Sequence, residues 1–318
     1  MRTLFWVVAA VAALYSALWF AGERVVETRA TQALADLGAQ GWEVDYASLN
    51  TTGFPSRLDT RVTGLRLLSP DGSLGWAAPA LQVYALLYRP THVIADLPPE
   101  QTVTVEGRSF DVTSQGMRAS ARAGFSARLP FREAVVQSGP LTVAGTGVEV
   151  SLGRLLLAAR EGGPAANAYD LYLDAGDLSA AAGAPSLDLL RLDAEVTLDR
   201  PLDRTLRGAP GITGLTLREA RLARGDLALA ATGSLRPDAE GVLEGEVVLV
   251  AENWRGMLDL ARQAGVLDEG RRALFERALE GLAEGSDRIE VPVTFADGTV
   301  SALGLPLLDA PRLPQGRP

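Results

Sequence analysis

The uncharged run from Leu4 to Ala21 constrains this chain more than any other feature, because it leaves few ways to place the N-terminus. It reads LFWVVAAVAALYSALWFA and contains no charged residue. Eighteen helical residues extend about 27 Å, which is close to the hydrocarbon thickness of a bilayer. Trp6 lies near one end of the run, and Trp19 and Phe20 lie near the other, as in the aromatic belts of membrane helices. The run therefore predicts a transmembrane anchor over residues 1–22.

The charges beside the run predict its orientation. Arg2 precedes it, and Glu23 and Arg24 follow it, a weak positive bias that favours a cytoplasmic N-terminus with the body outside. A cleaved signal peptide is the rival interpretation, and a buried helix of a soluble protein is a third. Against cleavage, the run is longer than a signal core and ends in bulky aromatic residues. We expect a retained, single-pass anchor with the body outside the cytoplasm.

The residues after the anchor continue at helical spacing. Val26, Ala30, Leu34 and Leu37 recur every three or four positions, and glycines follow that can end a helix. This pattern predicts a helical stalk over residues 23–40, after which the body occupies residues 41–318.

Strand signals dominate the body. Apolar residues alternate on both sides of the Gly53–Ser56 turn, where Pro55 cannot donate to a strand ladder. At Gly64 the alternation slips by one residue, which predicts a β-bulge. Two amphipathic helices are predicted late in the chain, the first capped by Asn253. The predicted fold class is mainly β, or β-rich α+β: a twisted antiparallel sheet with a transmembrane helix and a late helical pair.

A similarity between two short segments of the sequence raises the question of two related β units. The segments Val62–Leu67 and Ile212–Leu217 read VTGLRL and ITGLTL, so threonine, glycine and two leucines coincide. Chance explains the match as well, since these residues are common here. Under a duplication, two β units would meet at a boundary near residues 160–190.

The composition removes most catalytic and nucleic-acid chemistry. The chain has no cysteine, one histidine and a net charge of −9. Thiol chemistry is therefore excluded, and an acidic body repels a phosphate backbone. His92 is interpreted as a loop residue too far from Asp96 for a catalytic pair. Asp170, Asp174 and Asp177 are interpreted as a solvated strand face. We predict no catalytic, cofactor-binding or metal-binding residue, and a protein that is not an enzyme.

Several stretches resemble a proteobacterial family known as domain of unknown function 2125. The pattern W-x-V-x-Y-x-S-L-x-x-x-G-F-P-x-R-L-x-T-x-x-T-G-L is filled by Trp42 to Leu65. Further similarity lies in Glu252–Leu260, Val291–Val293, Asp297-Gly298, Leu305–Leu307 and Ala310–Leu313. The resemblance implies a turn with a buried ring at Phe54-Pro55, a bulge at Gly64 and Trp254 as a helix anchor in the core.

The piece S-x-x-x-x-G-F-P-x-R is also similar to the opening of AsmA-like envelope proteins. That similarity implies an inner-membrane anchor followed by β-rich periplasmic domains, some of them implicated in moving or organising lipids. Two hypotheses follow. The first is a non-enzymatic protein that holds an apolar ligand such as a lipid acyl chain, unless the apolar face is simply a filled core. The second is a scaffold that binds another envelope protein through a sheet edge or the Trp254 helices.

Overall fold

The computed structural model describes residues 2–180, 186–263, 268–302 and 304–313. This part of the chain contains three helices and twenty strands, and the paired strands run antiparallel. The fold class is therefore the predicted one: mainly β, with a long N-terminal helix and a late helical pair.

Two compact units make up the described chain. The first unit extends mainly up to Leu155, and the second unit begins at Leu156. The interval predicted for a boundary, 160–190, includes residues 181–185, which lie outside the described residues. The duplication stays a prediction.

The first unit contains one helix and eleven strands. They are α1 (Arg2–Ala39), β1 (Glu43–Asp45), β2 (Ser48–Thr52), β3 (Arg57–Leu68), β4 (Leu74–Leu86), β5 (Arg89–Asp96), β6 (Glu100–Val105), β7 (Arg108–Ser114), β8 (Arg118–Ala123), β9 (Phe131–Ser138), β10 (Leu141–Gly145) and β11 (Val148–Leu152). Helix α1 runs without a break through the segments predicted as anchor and stalk. Its length and hydropathy meet the requirement of a membrane span, which a signal sequence also meets.

The first unit's sheet branches at β4. One branch pairs β2, β3, β4, β5, β8 and β9 in that spatial order. The other half of β4 pairs with β6, from which the sheet continues through β7 and β10 to β11. A thirteen-residue strand allows this division because each branch needs only part of its length.

The bulge predicted at Gly64 is wrong, although the change of phase is real. Leu58, Thr60 and Val62 are buried, and burial then jumps to Leu65. The register between β3 and β4 nevertheless stays constant on both sides of Gly64. Gly64 has a φ of 62°, a left-handed conformation that turns the following side chains without an inserted residue.

The second unit is a meander with a helical insertion. Its elements are β12 (Arg154–Glu161), β13 (Ala168–Ala180), β14 (Leu187–Leu198), β15 (Ile212–Arg224), β16 (Leu227–Pro237), β17 (Leu243–Glu252), α2 (Trp254–Gln263), α3 (Glu269–Ala283), β18 (Arg288–Ala296), β19 (Thr299–Ala302) and β20 (Leu305–Asp309). Strands β13 to β20 pair with their sequence neighbours, β17 with β18 across the helices. Short connections favour this arrangement.

Trp254 anchors the helical insertion as expected. It is 1% exposed and packs with Ala283 and Ile289. Asn253 caps α2, because its side-chain oxygen accepts a hydrogen bond from the Gly256 amide at 3.2 Å. Pro306 lies inside β20, which pairs only with β19 among the described strand pairings. Proline is tolerated in such an edge strand because its missing N–H need not face a neighbouring strand.

Candidate functional site

At four consecutive alternating positions on each of six neighbouring strands, one face of the second unit's sheet carries no charged side chain. The registers of β13 to β18 place four residues from each strand on this face, which we call the six-strand apolar face. Its members are Tyr169, Leu171, Leu173, Ala175, Leu190, Leu192, Ala194, Val196, Leu215, Leu217, Ala220, Leu222, Leu229, Ala231, Gly233, Leu235, Gly245, Val247, Leu249, Ala251, Ile289, Val291, Val293 and Phe295.

A β-bulge keeps this face apolar. In β15 the apolar positions change from Leu215 and Leu217 to Ala220 and Leu222, which is a three-residue step. The register with β14 and β16 shifts at the same place, so Arg218 is the additional residue. Without it, half of β15 would present its leucines to the opposite face, because side chains alternate with a period of two.

The opposite face holds a cluster of ion pairs around that bulge. The Arg218 guanidinium contacts Asp170 at 2.7 Å, Asp193 at 2.8 Å and Glu195 at 3.7 Å, and Arg160 contacts the other oxygen of Asp170 at 2.9 Å. Burial opposes ionisation of Asp170, but hydrogen bonds from the two arginines outweigh it and hold its pKa below the usual value. The cluster thus fixes the bulge from its polar side.

The six-strand apolar face is covered unevenly. Near β17 to β20 its residues are buried with Val242 and Ala310, and near α3 they are buried with Trp254. Over β13 to β15 the leucines are only half-buried and Leu222 is 38% exposed, whereas Tyr169, Ala175 and Ala194 on the same area are buried. A filled core would bury these central leucines more completely. The half-buried area over β13 to β15 is therefore the candidate site.

The first unit's sheet has a comparable face made of smaller residues. In the branch from β3 to β9, Leu58 and Val83 share a face with valines and five alanines. The alanines are Ala85, Ala95, Ala119, Ala121 and Ala134. An open depression of about 670 Å³ lies elsewhere on this unit, over Gly64 and Gln101, and is rimmed by Arg66, Glu100 and Asp111.

The end of the candidate membrane span docks on the first unit. Trp19 is 3% exposed, and its indole N–H donates to the Arg57 carbonyl at 2.8 Å. Phe54 makes an edge contact with Trp19, with ring centroids 5.5 Å apart, and stacks on Phe20 at 6.0 Å. The buried ring expected at Phe54 is therefore wrong: the ring is 53% exposed, because the turn lies against the outside of α1.

The polar residues considered from the sequence are not brought together. His92 lies inside β5 and not in a loop, and Asp96 on the same strand binds Arg118 at 2.6 Å. The solvated aspartate face is wrong for Asp170 and Asp174, which are poorly exposed and bind arginines, whereas Asp177 is exposed as predicted. Among the described residues, no group of three His, Asp or Glu side chains could hold a metal ion.

Neither the bulge at Arg218 nor its ion pairs is predicted by the sequence patterns. A signal was present: the leucine spacing changes between Leu217 and Ala220, as it does at Gly64. The partners of Arg218 could not be read from spacing, since Asp170 lies 48 residues earlier in the chain.

Among the described residues, one helix has the properties of a membrane span, and it is joined to antiparallel sheets with one mainly apolar face. This combination defines a class of β-rich proteins compatible with membrane anchoring. Within that class the chain belongs to the family DUF2125, described as an uncharacterized protein conserved in bacteria, which matches residues 19–311. No curated protein and no solved structure matches the chain. The similarity to AsmA-like proteins stays a prediction.

Proposed function

We propose that this protein is anchored in the inner membrane by α1, with its body in the periplasm, and that it holds a lipid acyl chain on the six-strand apolar face without performing a reaction. The observation that carries the proposal is the half-buried leucine area over β13 to β15. Monomeric soluble proteins rarely leave contiguous apolar areas of that kind uncovered unless they bind something.

The dimensions of the face support an acyl chain. Strands β13 to β15, where the face is half-buried, extend across about 10 Å, and four alternating positions extend along a strand for about 20 Å. One leaflet of hydrocarbon is about 15 Å thick, so a chain taken from it fits within the face. Burial of each methylene contributes roughly 0.8 kcal/mol, which accumulates along a chain without requiring any polar contact.

The non-enzymatic part of the proposal rests on composition. A chain without cysteine and with one histidine lacks the usual nucleophile and base pairs. Asp170 and Asp174 on the second unit's polar face form ion pairs with arginines, which suits a structural role better than proton transfer.

Site-specific photo-crosslinking tests the ligand. A photoreactive benzoylphenylalanine replaces Leu192 on the apolar face, and a matched variant carries it at Thr197, on the same strand but the opposite face. We expect lipid adducts at position 192 in native membranes, detected by mass spectrometry, and none at position 197. Adducts only to this protein itself at position 192 would show a filled core and end the ligand proposal.

Protease access tests the topology. Protease added to spheroplasts should digest the body and leave only a fragment containing the first part of α1. A body that stays intact until the inner membrane is opened would contradict the periplasmic orientation.

A scaffold is the second candidate, and β20 favours it. Leu305, Leu307 and Leu308 are each at least half exposed on this edge strand. Exposed apolar edges invite pairing with another chain. If β20 binds an envelope protein, Leu307→Lys should remove a specific crosslinked partner that the wild type captures in cells. Capture that is unchanged by this substitution would count against the scaffold.

A further inference from the structure

Three hairpin loops meet at one end of the first unit's sheet. The loops are Gly53–Ser56 between β2 and β3, Leu87-Tyr88 between β4 and β5, and Gly124–Pro130 between β8 and β9. The registers place them side by side, because Arg57 pairs with Leu86, His92 with Arg122, and Ala123 with Phe131. Successive loops lie two strands, or about 10 Å, apart.

Each of these loops presents an exposed aromatic ring. Phe54 is 53% exposed, Tyr88 is 69% exposed and Phe125 is 87% exposed. We call these three loops the aromatic rim. A single exposed aromatic residue would need no explanation, but one at the tip of each neighbouring loop indicates a shared partner.

The rim lies at the level where the candidate membrane span ends. Phe54 stacks on Phe20, which closes the uncharged run. A Cβ atom placed on Gly22 would lie 3.0 Å from the Leu87 side chain, so the second loop also touches α1. If residues up to Phe20 lie in hydrocarbon, then Phe54 and Leu87 lie at the membrane interface.

The rim is also positively charged, in a chain whose net charge is −9. The segments 53–59, 86–92 and 122–133 together contain five arginines and two carboxylates, a net charge of +3. The arginines are Arg57, Arg89, Arg122, Arg128 and Arg132, and the carboxylates are Asp59 and Glu133. Two of the five arginines form ion pairs with these carboxylates, Arg57 with Asp59 and Arg122 with Glu133.

We infer that the aromatic rim rests in the headgroup region of an anionic phospholipid bilayer, so that the first unit is docked on the membrane and not merely tethered to it. This inference rests on the anchoring part of the proposed function. Aromatic rings with apolar bodies favour the interface, and arginines near an anionic surface each strengthen attachment by about fivefold. Continuity with the span, exposed rings and complementary charge all point to the same partner.

The absence of cysteine from the chain makes a direct test practical. Three single-cysteine variants of the full-length protein carry an environment-sensitive fluorophore in nanodiscs containing phosphatidylglycerol. Ser126→Cys reports on the rim, and Ser16→Cys reports on the span. Ser109→Cys is the matched control, because β7 begins beside the Ser69–Ser73 turn at the other end of the sheet.

We expect spin-labelled headgroups to quench the probe at position 126 and to leave the probe at position 109 unaffected. Phe125→Ala should reduce quenching at position 126, and Arg128→Gln should lower the ratio of docked to undocked protein by about fivefold. Both side chains are exposed, so neither change should disturb folding. Nanodiscs of neutral lipid should weaken the contact in the same direction.

The three positions separate failure of the inference from failure of the anchor. Equal quenching at positions 126 and 109, or none at either, would overturn the docked rim. If mid-bilayer spin labels still quenched the probe at position 16, the transmembrane anchor would nevertheless be supported. An unquenched probe at position 16 would instead remove the anchor on which the inference depends. Quenching at position 126 that is insensitive to lipid charge and to Phe125→Ala would also overturn it.

Discussion

The two units keep apolar residues on one face of long strands in different ways. In the first unit, β3 and β4 change phase together at Gly64 and Pro79, and their register does not shift. In the second unit, β15 inserts Arg218 and the register shifts against both neighbours. The first solution needs a left-handed glycine, and the second needs partners for a displaced arginine.

The two sheets therefore differ in how well they tolerate insertions and deletions. The left-handed conformation of a glycine is a local property, so a substitution of that glycine costs only the strain energy of one residue. A bulge sets the face of every residue beyond it, so its removal affects half a strand. The second unit is therefore the more sensitive of the two to insertion and deletion.

Deletion of Arg218 should have the largest effect. It would transfer the leucines on one side of the bulge to the polar face, and we expect the second unit to lose more than about 4 kcal/mol of stability. Hydrogen exchange read by mass spectrometry on the full chain in detergent would show deprotection of β14 to β16. Arg218→Ala is the control that keeps the register; a similar loss in both variants would mean that the ion pairs matter and the bulge does not.

Trp254→Ala should come next. The ring is fully buried between α2, α3 and β18, and its removal should cost about 3–5 kcal/mol. We expect faster exchange in the second unit's helices and unchanged exchange in β3 and β4. Phe275→Ala, at a partly exposed position of α3, should cost much less. Equal costs at the two positions would contradict the assigned core.

The two TGL segments allow a direct comparison of glycines. Gly64→Ala places a Cβ at a φ of 62° and 3.3 Å from the Ala47 methyl group, and should cost about 1–2 kcal/mol. Gly214→Ala meets Thr197 at 3.7 Å, an ordinary contact, and should be nearly neutral. Urea titrations of the two variants measure the difference. Matching losses would favour equivalent roles and strengthen the case for duplication.

The acid sensitivity of the Asp170 cluster should be the smallest effect. Because the folded-state pKa of Asp170 is lowered, its ionised form stabilises the fold above the unfolded pKa of about 3.8, and this contribution disappears as pH falls through the folded value. Asp170→Asn should therefore cost roughly 1 kcal/mol at pH 7, given solvent screening of its arginines. The cost should shrink at pH 3; a constant cost would exclude ionisation as its cause.

Sequence patterns predicted the β-rich class, the N-terminal helix and the helical pair, because each follows from local periodicity. They also identified an irregularity at Gly64, but they predicted a β-bulge where the structure has a left-handed glycine without an inserted residue. A change of alternation phase arises equally from an inserted residue and from a left-handed one, and only the register with the neighbouring strand separates them. Because of the same ambiguity, the change of phase near Arg218 does not by itself predict a bulge.

What the sequence determined by itself was the uncharged N-terminal run, the alternation of the strands and the absence of thiol chemistry. What only the tertiary structure decided was which residues share a face and which loops share an end. Asp170 and Arg218 are distant in the chain, and strand pairing brings them into contact. Phe54 and Phe125 are also distant in the chain, and strand pairing places their loops at the same end of the sheet. Pairing between remote strands depends on hydrogen-bond register, and a local pattern carries no information about register.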